Sequence, residues 1–218
     1  MARPTRIVPA ILTDDPKKLE AMIRQAETFT DYVQFDIMDG QFVPSHSIDC
    51  EHLASVPTKL GWEAHLMVQH PEEHLDCLQK AGAQKVVLHF EATASLEEVI
   101  ALARHLSLGV GLAVNPGTPA SAIIRFADKV DSILFLTVNP GFYGSQFIPE
   151  VLEKIVDFRK TRPNADIGVD GGIKESNIAQ IAQLGLNSIY VGSAIFRQTD
   201  PAASFRRLAA LAQEAPHE

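Results

Sequence analysis

Short apolar runs alternate with amphipathic stretches along the whole chain. The runs are rich in Val, Ile, Leu and Phe, as is typical of strands buried on both faces. They predict strands near residues 6–11, 31–37, 61–67, 84–90, 108–114, 130–138, 165–170 and 186–191. The stretches between them have helical periodicity, which predicts helices near residues 15–28, 48–56, 71–81, 95–106, 118–127, 149–161, 174–184 and 201–213.

This alternation favours a single α/β domain over residues 1–218, a (β/α)8 TIM barrel. A repeated Val-Asn-Pro-Gly sequence follows two of the predicted strands, at 114–117 and 138–141, as quasi-equivalent barrel units would allow. An open doubly wound sheet is the alternative. It usually needs fewer strand–helix units, and no G-x-G-x-x-G motif follows the first strand here.

The second predicted strand carries polar residues within an apolar segment. Side chains alternate between the two faces of a strand, so Gln34 and Asp36 share one face while Phe35 and Ile37 share the other. Packing Phe35 and Ile37 against the helices points Gln34 and Asp36 into the barrel. The active site of a barrel forms at the carboxyl ends of its strands, which is where Asp36 stands.

Three candidate metal ligands end predicted strands. Asp36, His65 and Asp170 end the second, third and seventh strands and would face one another in the barrel mouth. Two carboxylates this close raise one pKa unless a cation lies between them. Carboxylate and imidazole are sound ligands for zinc or a similar ion, so the three residues jointly predict a divalent metal site. Asp39, before Gly40, is interpreted as a hydrogen-bond acceptor within its loop.

Glycine-rich segments follow the last three predicted strands, at residues 139–144, 169–172 and 192–196. Glycines let backbone N–H groups approach an anion closely, and barrels commonly bind phosphate after strands 7 and 8. The three segments at one barrel end therefore predict a phosphate site. Because they contain no lysine or arginine, backbone N–H groups should be the main donors.

Composition narrows the functional classes. The 218 residues are 46% hydrophobic and 21% charged, with a net charge of −8, which is typical of a globular protein and argues against a nucleic-acid partner. No apolar run approaches the ~20 residues that cross a bilayer, so no membrane partner is expected. Cys50 and Cys77 are too few for a disulfide scaffold and lack metal-ligand spacing. We therefore predict two free thiols in a cytoplasmic protein.

The motifs of this chain resemble those of the ribulose-phosphate 3-epimerase family. The segments "DIMDGQFVP", "HLMV", "TVNPGF" with the later Gly144, "VDGGI" and "GSAIF" occur in order and at the expected strands. The resemblance extends from about residue 6 to 213, and the M-D-G-x-F-V-P string is highly specific.

The resemblance implies a (β/α)8 barrel that inverts the carbon next to the ketone of D-ribulose 5-phosphate and gives D-xylulose 5-phosphate. It implies one divalent metal ion, such as zinc, iron or manganese, and a small ketose phosphate as the partner; we also expect a homo-oligomer. Asp36 and Asp170 would be both metal ligands and the acid/base pair, and His65 would be a further ligand. The implied substrate-binding residues are Ala10, Met38, His65, Met67, Gly141, Phe142, Tyr143, Gly144, Gly172, Gly192 and Ser193.

The chain departs from the family pattern at several site positions. Gln34 replaces the histidine of H-x-D-x-M-D-G, Ala10 replaces the serine of P-S-I-L, and Leu136 replaces a methionine. Tyr143 lies within a loop that reads G-F-G-G in the family. A glutamine carbonyl can still ligate a metal, so Gln34 is kept as a candidate ligand.

Two functional classes stay open on these residues: a metal-dependent ketose-phosphate epimerase, and a barrel that binds a sugar phosphate without turning it over. Both aspartates and His65 favour the enzyme, whereas the loss of the fourth ligand favours the second class. Decarboxylase or hexulose-phosphate synthase chemistry expects D-x-K-x-x-D on the second strand. The segment from Asp36 to Asp39 has no lysine, which argues against it.

Overall fold

The computed structural model describes residues 5–93, 95–141 and 144–213. Eight parallel strands pair in chain order and close into a barrel, as the alternation predicted. Their bounds are β1 Arg6–Ile11, β2 Tyr32–Met38, β3 Gly61–Met67, β4 Lys85–His89, β5 Gly109–Val114, β6 Ser132–Leu136, β7 Ile167–Asp170 and β8 Ser188–Val191.

Helices follow the strands around the outside of the barrel. They are α1 Pro16–Ala26, α2 Cys50–Ser55, α3 Leu75–Ala81, α4 Leu96–His105, α5 Ala120–Ile123, α6 Glu150–Thr161, α7 Glu175–Ala182, α8 Ser193–Phe196 and α9 Pro201–Gln213. Within the described ranges, none of these helices has the length and apolar character that a membrane span needs.

Two predicted helices contain a 3-10 segment. The helix predicted at 71–81 begins as a 3-10 turn over Pro71–Glu73 before α3, and that at 118–127 consists of α5 and a 3-10 turn over Ile124–Phe126. Ile123 and Phe126 are both buried, and residues three apart stack on one side of a 3-10 helix. The tighter turn thus lets a very short segment bury both side chains.

Most strand residues belong either to a core between the barrel and the helices or to a smaller core inside the barrel. On β2, the outward-facing Phe35 is buried against the helices, with its ring edge-on to Trp62 at 5.3 Å between centroids. A smaller cluster that includes Val87 and Leu134 packs within the barrel. Because Phe35 takes the helix side, the alternate residue Asp36 lies on the barrel side, as predicted.

Strand register brings the polar strand ends to one level. Asp36 of β2 pairs with His65 of β3, and two residues further Met38 pairs with Met67. On the other side of the barrel, Asp170 of β7 pairs with Tyr190 of β8. These side chains therefore share the carboxyl end of the barrel.

The two cysteines form a disulfide, so the prediction of free thiols is wrong. Cys50 at the start of α2 is bonded to Cys77 in α3, with 6.1 Å between their Cα atoms. The pairing depends on α2 lying beside α3, and nothing in the local sequence of either cysteine signals it. The cytoplasmic location, which rested in part on free thiols, stays a prediction without that support.

Removing this disulfide should destabilise the fold. The bond joins residues separated by 27 positions, and the loop entropy of a ring of that size corresponds to about 2–4 kcal/mol. We expect Cys50→Ser to lower the free energy of unfolding by about that amount in denaturant titrations. Wild-type protein with dithiothreitol should match the variant, and an unchanged midpoint in both would contradict a structural disulfide.

Candidate active site

A cavity opens at the carboxyl ends of the strands, and it gathers most of the predicted site residues. Gln34 lies fully buried beneath the mouth and does not line it. The positions of Phe142 and Tyr143 lie outside the described residues. The other predicted residues line the cavity together: Ala10, Asp36, Met38, His65, Met67, Gly141, Gly144, Asp170, Gly172, Gly192 and Ser193.

Two carboxylates and one imidazole converge in this cavity. His65 Nδ1 lies 3.1 Å from Asp36 Oδ1 and 3.6 Å from Asp170 Oδ2. One donor atom from each residue lies within 4.8 Å of the others. The side chains are nearly buried, with 1%, 11% and 14% exposure for His65, Asp36 and Asp170. Burying two carboxylates beside an imidazole costs free energy unless a positive charge compensates them.

Gln34 lies directly against both carboxylates. Its amide Nε2 donates to Asp36 Oδ1 and to Asp170 Oδ2, at 3.1 Å each. Its carbonyl Oε1 is buried and has no hydrogen-bond partner within the described part of the chain. The amide therefore holds the carboxylates as a donor here, and its oxygen could face a cation only after the amide turns over.

The charges of these groups are strongly coupled. Burial and the neighbouring Asp36 carboxylate raise the pKa of Asp170 to about 7. Burial disfavours the charged form of His65, but hydrogen bonding to Asp36 and the negative charges of Asp36 and Asp170 outweigh it and raise the pKa of His65. Asp170 and His65 therefore keep their protons to a higher pH than the same side chains would in water.

The residues present fit a divalent metal ion. Two facing carboxylates repel each other, and burial together with this repulsion raises the pKa of Asp170. A cation among Asp36, His65 and Asp170 would relieve it, and carboxylate oxygen with imidazole nitrogen suits zinc, iron and manganese. Gln34 would add its buried, unpartnered Oε1 as a fourth donor atom only after its amide turns over, because Nε2 now faces the carboxylates.

The loop after β2 is fixed by short hydrogen bonds. Ser47 Oγ accepts from the Met38 N–H at 2.9 Å and donates to the Asp36 carbonyl at 2.8 Å. Asp39 accepts backbone N–H groups from Gln41 and Phe42. The predicted loop role of Asp39 is therefore confirmed, and the backbone that carries Asp36 is held on both sides.

The glycine segments meet at the opposite side of the same mouth. Gly171 has φ +111°, and a Cβ there would lie 2.4 Å from Val138, so only glycine lets the β6 and β7 loops approach this closely. Thr137 Oγ1 contacts the carbonyls of Asp170 and Gly171 at 3.0 and 2.6 Å. Among the described residues no lysine or arginine lines the cavity, which leaves backbone N–H groups and side-chain hydroxyls such as those of Ser145 and Ser193 as anion donors.

Sequence reasoning missed part of the site. Tyr190 lines the cavity, and its inward position could have been found from the alternation along β8 two residues before Gly192. His89 ends β4, and the sequence alone does not give the direction of its side chain, because that depends on strand register. In the structure it is fully buried, with its Nε2 at 2.9 Å from His65 Nε2. Only the packing of β3 against β4 establishes that contact.

Replacing Gln34 by histidine should tighten zinc binding, because imidazole is the better zinc ligand. We expect dissociation constants in the order Gln34→His below wild type below Gln34→Leu, where Leu keeps similar bulk without a donor atom. Competition with a chromogenic chelator measures all three, and each tenfold step corresponds to about 1.4 kcal/mol. Equal affinities of wild type and Gln34→Leu would show that Gln34 does not support the metal.

Solved structures of other enzymes share the fold. The 3-hexulose-6-phosphate synthase of Salmonella typhimurium aligns with a TM-score of 0.73 over 98% of this chain and 100% of its own, at 16% identity. KGPDC from Streptococcus mutans aligns with a TM-score of 0.76 over 97% of this chain and 98% of its own, at 11% identity. At these identities the likeness concerns the fold alone.

The sequence comparisons show the family as well as the fold. The ribulose-phosphate 3-epimerase of Schizosaccharomyces pombe is 36% identical over 90% of this chain and 89% of its own length. The ribulose-phosphate 3-epimerase of Serratia marcescens is 37% identical over 89% of this chain and 96% of its own. The sequence model of the Ribulose-phosphate 3 epimerase family matches residues 6–196. The chain therefore belongs to the ribulose-phosphate 3-epimerase family.

Proposed function

We propose that this protein interconverts D-ribulose 5-phosphate and D-xylulose 5-phosphate by proton transfer at carbon 3, with Asp36 and Asp170 as the acid/base pair. The convergence of these two buried carboxylates with His65 in the barrel mouth is the observation that carries the proposal. Family membership and the names of the relatives point to the same reaction.

Inversion needs a base on one face of the substrate and an acid on the other. The ionised carboxylate removes the proton from carbon 3, and the C–H electron pair forms the carbon–carbon double bond of an enediolate. The protonated carboxyl group then delivers its proton to the opposite face, so the two residues exchange protonation states. Asp36 on β2 and Asp170 on β7 are separated by β1 and β8, which lets them approach a substrate from different sides.

The protonation states suit this exchange. A carboxyl group with a pKa near neutrality is an effective general acid or base at physiological pH. Asp170 meets that condition in the site without a metal ion, where burial and Asp36 raise its pKa to about 7. A cation held beside Asp170 would lower that pKa. The hydrogen bond that Asp170 accepts from Gln34 keeps its carboxylate oriented toward the shared pocket.

A divalent ion would be held by Asp36, His65 and Asp170, with Gln34 beside them, and when bound it would stabilise the negative charge of the enediolate oxygens. Zinc, iron and manganese are the candidates that fit the donor atoms. Met38 and Met67, with 5% and 3% exposure, would form the polarizable apolar wall that excludes water from the reacting carbons.

The substrate phosphate would lie at the glycine segments. Gly141, Gly144, Gly172 and Gly192 line the cavity beside Ser193, and their backbone N–H groups can approach an anion without side-chain interference. Phe142 and Tyr143 are proposed substrate contacts on the basis of their place in the loop alone. A homo-oligomer and a cytoplasmic location likewise stay predictions from the sequence.

The second candidate function is a barrel that binds a sugar phosphate without turning it over. Two features of the chain favour it. Ala10 lines the cavity without the hydroxyl found in the family motif, and Gln34 offers an amide where the family has an imidazole. Both changes remove groups that could hold the substrate or the metal.

Metal removal and return tests the proposal against this alternative. Protein stripped with a chelator should lose conversion of D-ribulose 5-phosphate, because the enediolate charge is then uncompensated. Addition of zinc, manganese, iron or magnesium singly should restore it with at least one ion, measured as D-xylulose 5-phosphate formed. The Asp36→Asn variant, assayed with each of the same ions, is the control for a contaminating epimerase. Binding of the sugar phosphate without turnover under any ion would support the non-catalytic barrel.

A further inference from the structure

Behind the proposed metal ligand His65 lies a buried chain of polar groups that the proposed reaction does not use. His65 turns its Nδ1 toward the carboxylates, and its other ring nitrogen, Nε2, lies 2.9 Å from Nε2 of His89. His89 Nδ1 in turn lies 3.5 Å from Oε2 of Glu91. His65 and His89 are 1% and 0% exposed, so water does not compete for these contacts.

The two imidazoles share a hydrogen bond that lies nearly in the plane of both rings. Their ring planes are inclined by only 16°, and their centroids are 5.0 Å apart while the Nε2 atoms are 2.9 Å apart. Face-to-face stacking would bring the centroids closer than this, so the rings lie edge to edge. One Nε2 must carry a proton and the other must present a lone pair, because two donors or two acceptors cannot pair.

Glu91 decides which nitrogen carries the proton. Its Oε1 accepts the Asn115 N–H at 2.9 Å and the Thr118 hydroxyl, which stabilise the ionised carboxylate. Its Oε2 lies 3.5 Å from His89 Nδ1, which is longer than a formed hydrogen bond, and neither atom has a hydrogen-bond partner among the residues described. A carboxylate only accepts, so the one hydrogen bond that these two facing atoms can form has the His89 proton on Nδ1.

We propose that Glu91 and His89 are positioning residues that fix the tautomer of His65 and keep the lone pair of its Nδ1 directed at the metal site. With the His89 proton on Nδ1, its Nε2 is an acceptor and requires the proton of His65 on Nε2. Without a metal ion, His65 Nδ1 also carries a proton, which it donates to Asp36 Oδ1 at 3.1 Å. A metal ion that replaces this proton meets the lone pair of Nδ1, because the Nε2 proton of His65 stays in the bond to His89. The inference rests on the proposed metal site, and it assigns a role to residues that contact neither metal nor substrate.

One substitution at Glu91 should reverse the direction of the hydrogen bonds that link Glu91, His89 and His65. In Glu91→Gln, the two donors from Asn115 and Thr118 hold the carbonyl oxygen at the Oε1 position. The amide NH2 then faces His89 Nδ1 as a donor, which moves the His89 proton to Nε2 and the His65 proton to Nδ1. A protonated Nδ1 cannot ligate a metal ion.

Nitrogen-15 NMR of the histidine rings, with zinc as the probe ion, tests this inference. Wild type should show His89 protonated on Nδ1, both with and without zinc. Glu91→Gln should show it protonated on Nε2 and should bind zinc about 10–100-fold more weakly, the usual cost of losing the group that orients a metal ligand. Thr118→Ala is the matched control: it removes a donor to Glu91 but keeps the carboxylate, so both readouts should match wild type.

A wild-type His89 protonated on Nε2 would overturn the inference, as would wild-type zinc affinity in a Glu91→Gln variant whose thermal unfolding is unchanged. If Glu91→Gln fails to fold, the wild-type spectrum decides alone. The outcome is separable from that of the proposed function. His89 protonated on Nδ1 in a protein without turnover supports the positioning role, and His89 protonated on Nε2 in an active epimerase contradicts it.

Discussion

Replacing either Asp36 or Asp170 with asparagine is expected to reduce turnover of D-ribulose 5-phosphate by about 10²–10⁴-fold, the usual contribution of one acid or base. Asparagine keeps the size of the side chain but cannot take up or release a proton. Inversion uses both groups in every turnover, so the one carboxylate that remains in each variant should not invert carbon 3 alone. Turnover numbers from a coupled assay of D-xylulose 5-phosphate give the comparison.

The two variants should also differ from wild type in the fate of the proton. In deuterated water, a variant with one working carboxylate should exchange only the hydrogen that this carboxylate can reach, and it should not invert the carbon. Asp14→Asn is the matched control, since Asp14 is an exposed carboxylate in the loop after β1. Full inversion by either Asp36→Asn or Asp170→Asn would contradict the two-carboxylate account.

A carboxylate placed in the glycine cradle should abolish binding of the substrate phosphate. Gly192 lines the cavity directly before α8, so Gly192→Asp sets a negative charge against the phosphate. At an effective dielectric constant of about 20, two unit charges about 4 Å apart repel by about 4 kcal/mol, which is roughly three orders of magnitude in affinity. The measurement is the KM or the dissociation constant of the ketose phosphate.

Gly117→Asp is the matched control for that variant. Gly117 is exposed in the loop after β5, and a Cβ there would meet nothing within 4 Å. The control adds the same charge to the protein without entering the cavity, so its affinity for the ketose phosphate should remain close to that of wild type. Wild-type affinity in Gly192→Asp would place the phosphate elsewhere.

The fold and the three-residue cluster could be predicted because both follow from simple periodicities. Strand alternation alone assigns Asp36 to the inside of the barrel, opposite to Phe35, and parallel strands bring their carboxyl ends to one edge. His65 and Asp170 then meet Asp36 by topology. No detail of packing is needed for that step.

Other features depend on distances between elements that are remote in sequence. The bond between Cys50 and Cys77 requires α2 beside α3, and the contact of His89 with His65 requires the register in which β4 pairs with β3. The sequence proposed Gln34 as a ligand. Its role as a ligand stays a prediction; without a metal ion its amide donates to both carboxylates, an orientation that only the surrounding hydrogen bonds could determine.

The most direct test of the central claim follows D-ribulose 5-phosphate in deuterated water by NMR, with the protein supplied with zinc, manganese, iron or magnesium. The account predicts that D-xylulose 5-phosphate accumulates and that both sugars acquire deuterium at carbon 3, because Asp36 and Asp170 exchange their protons with solvent between turnovers. If neither product nor deuterium at carbon 3 appears with any of these ions, the protein is not an epimerase of this substrate.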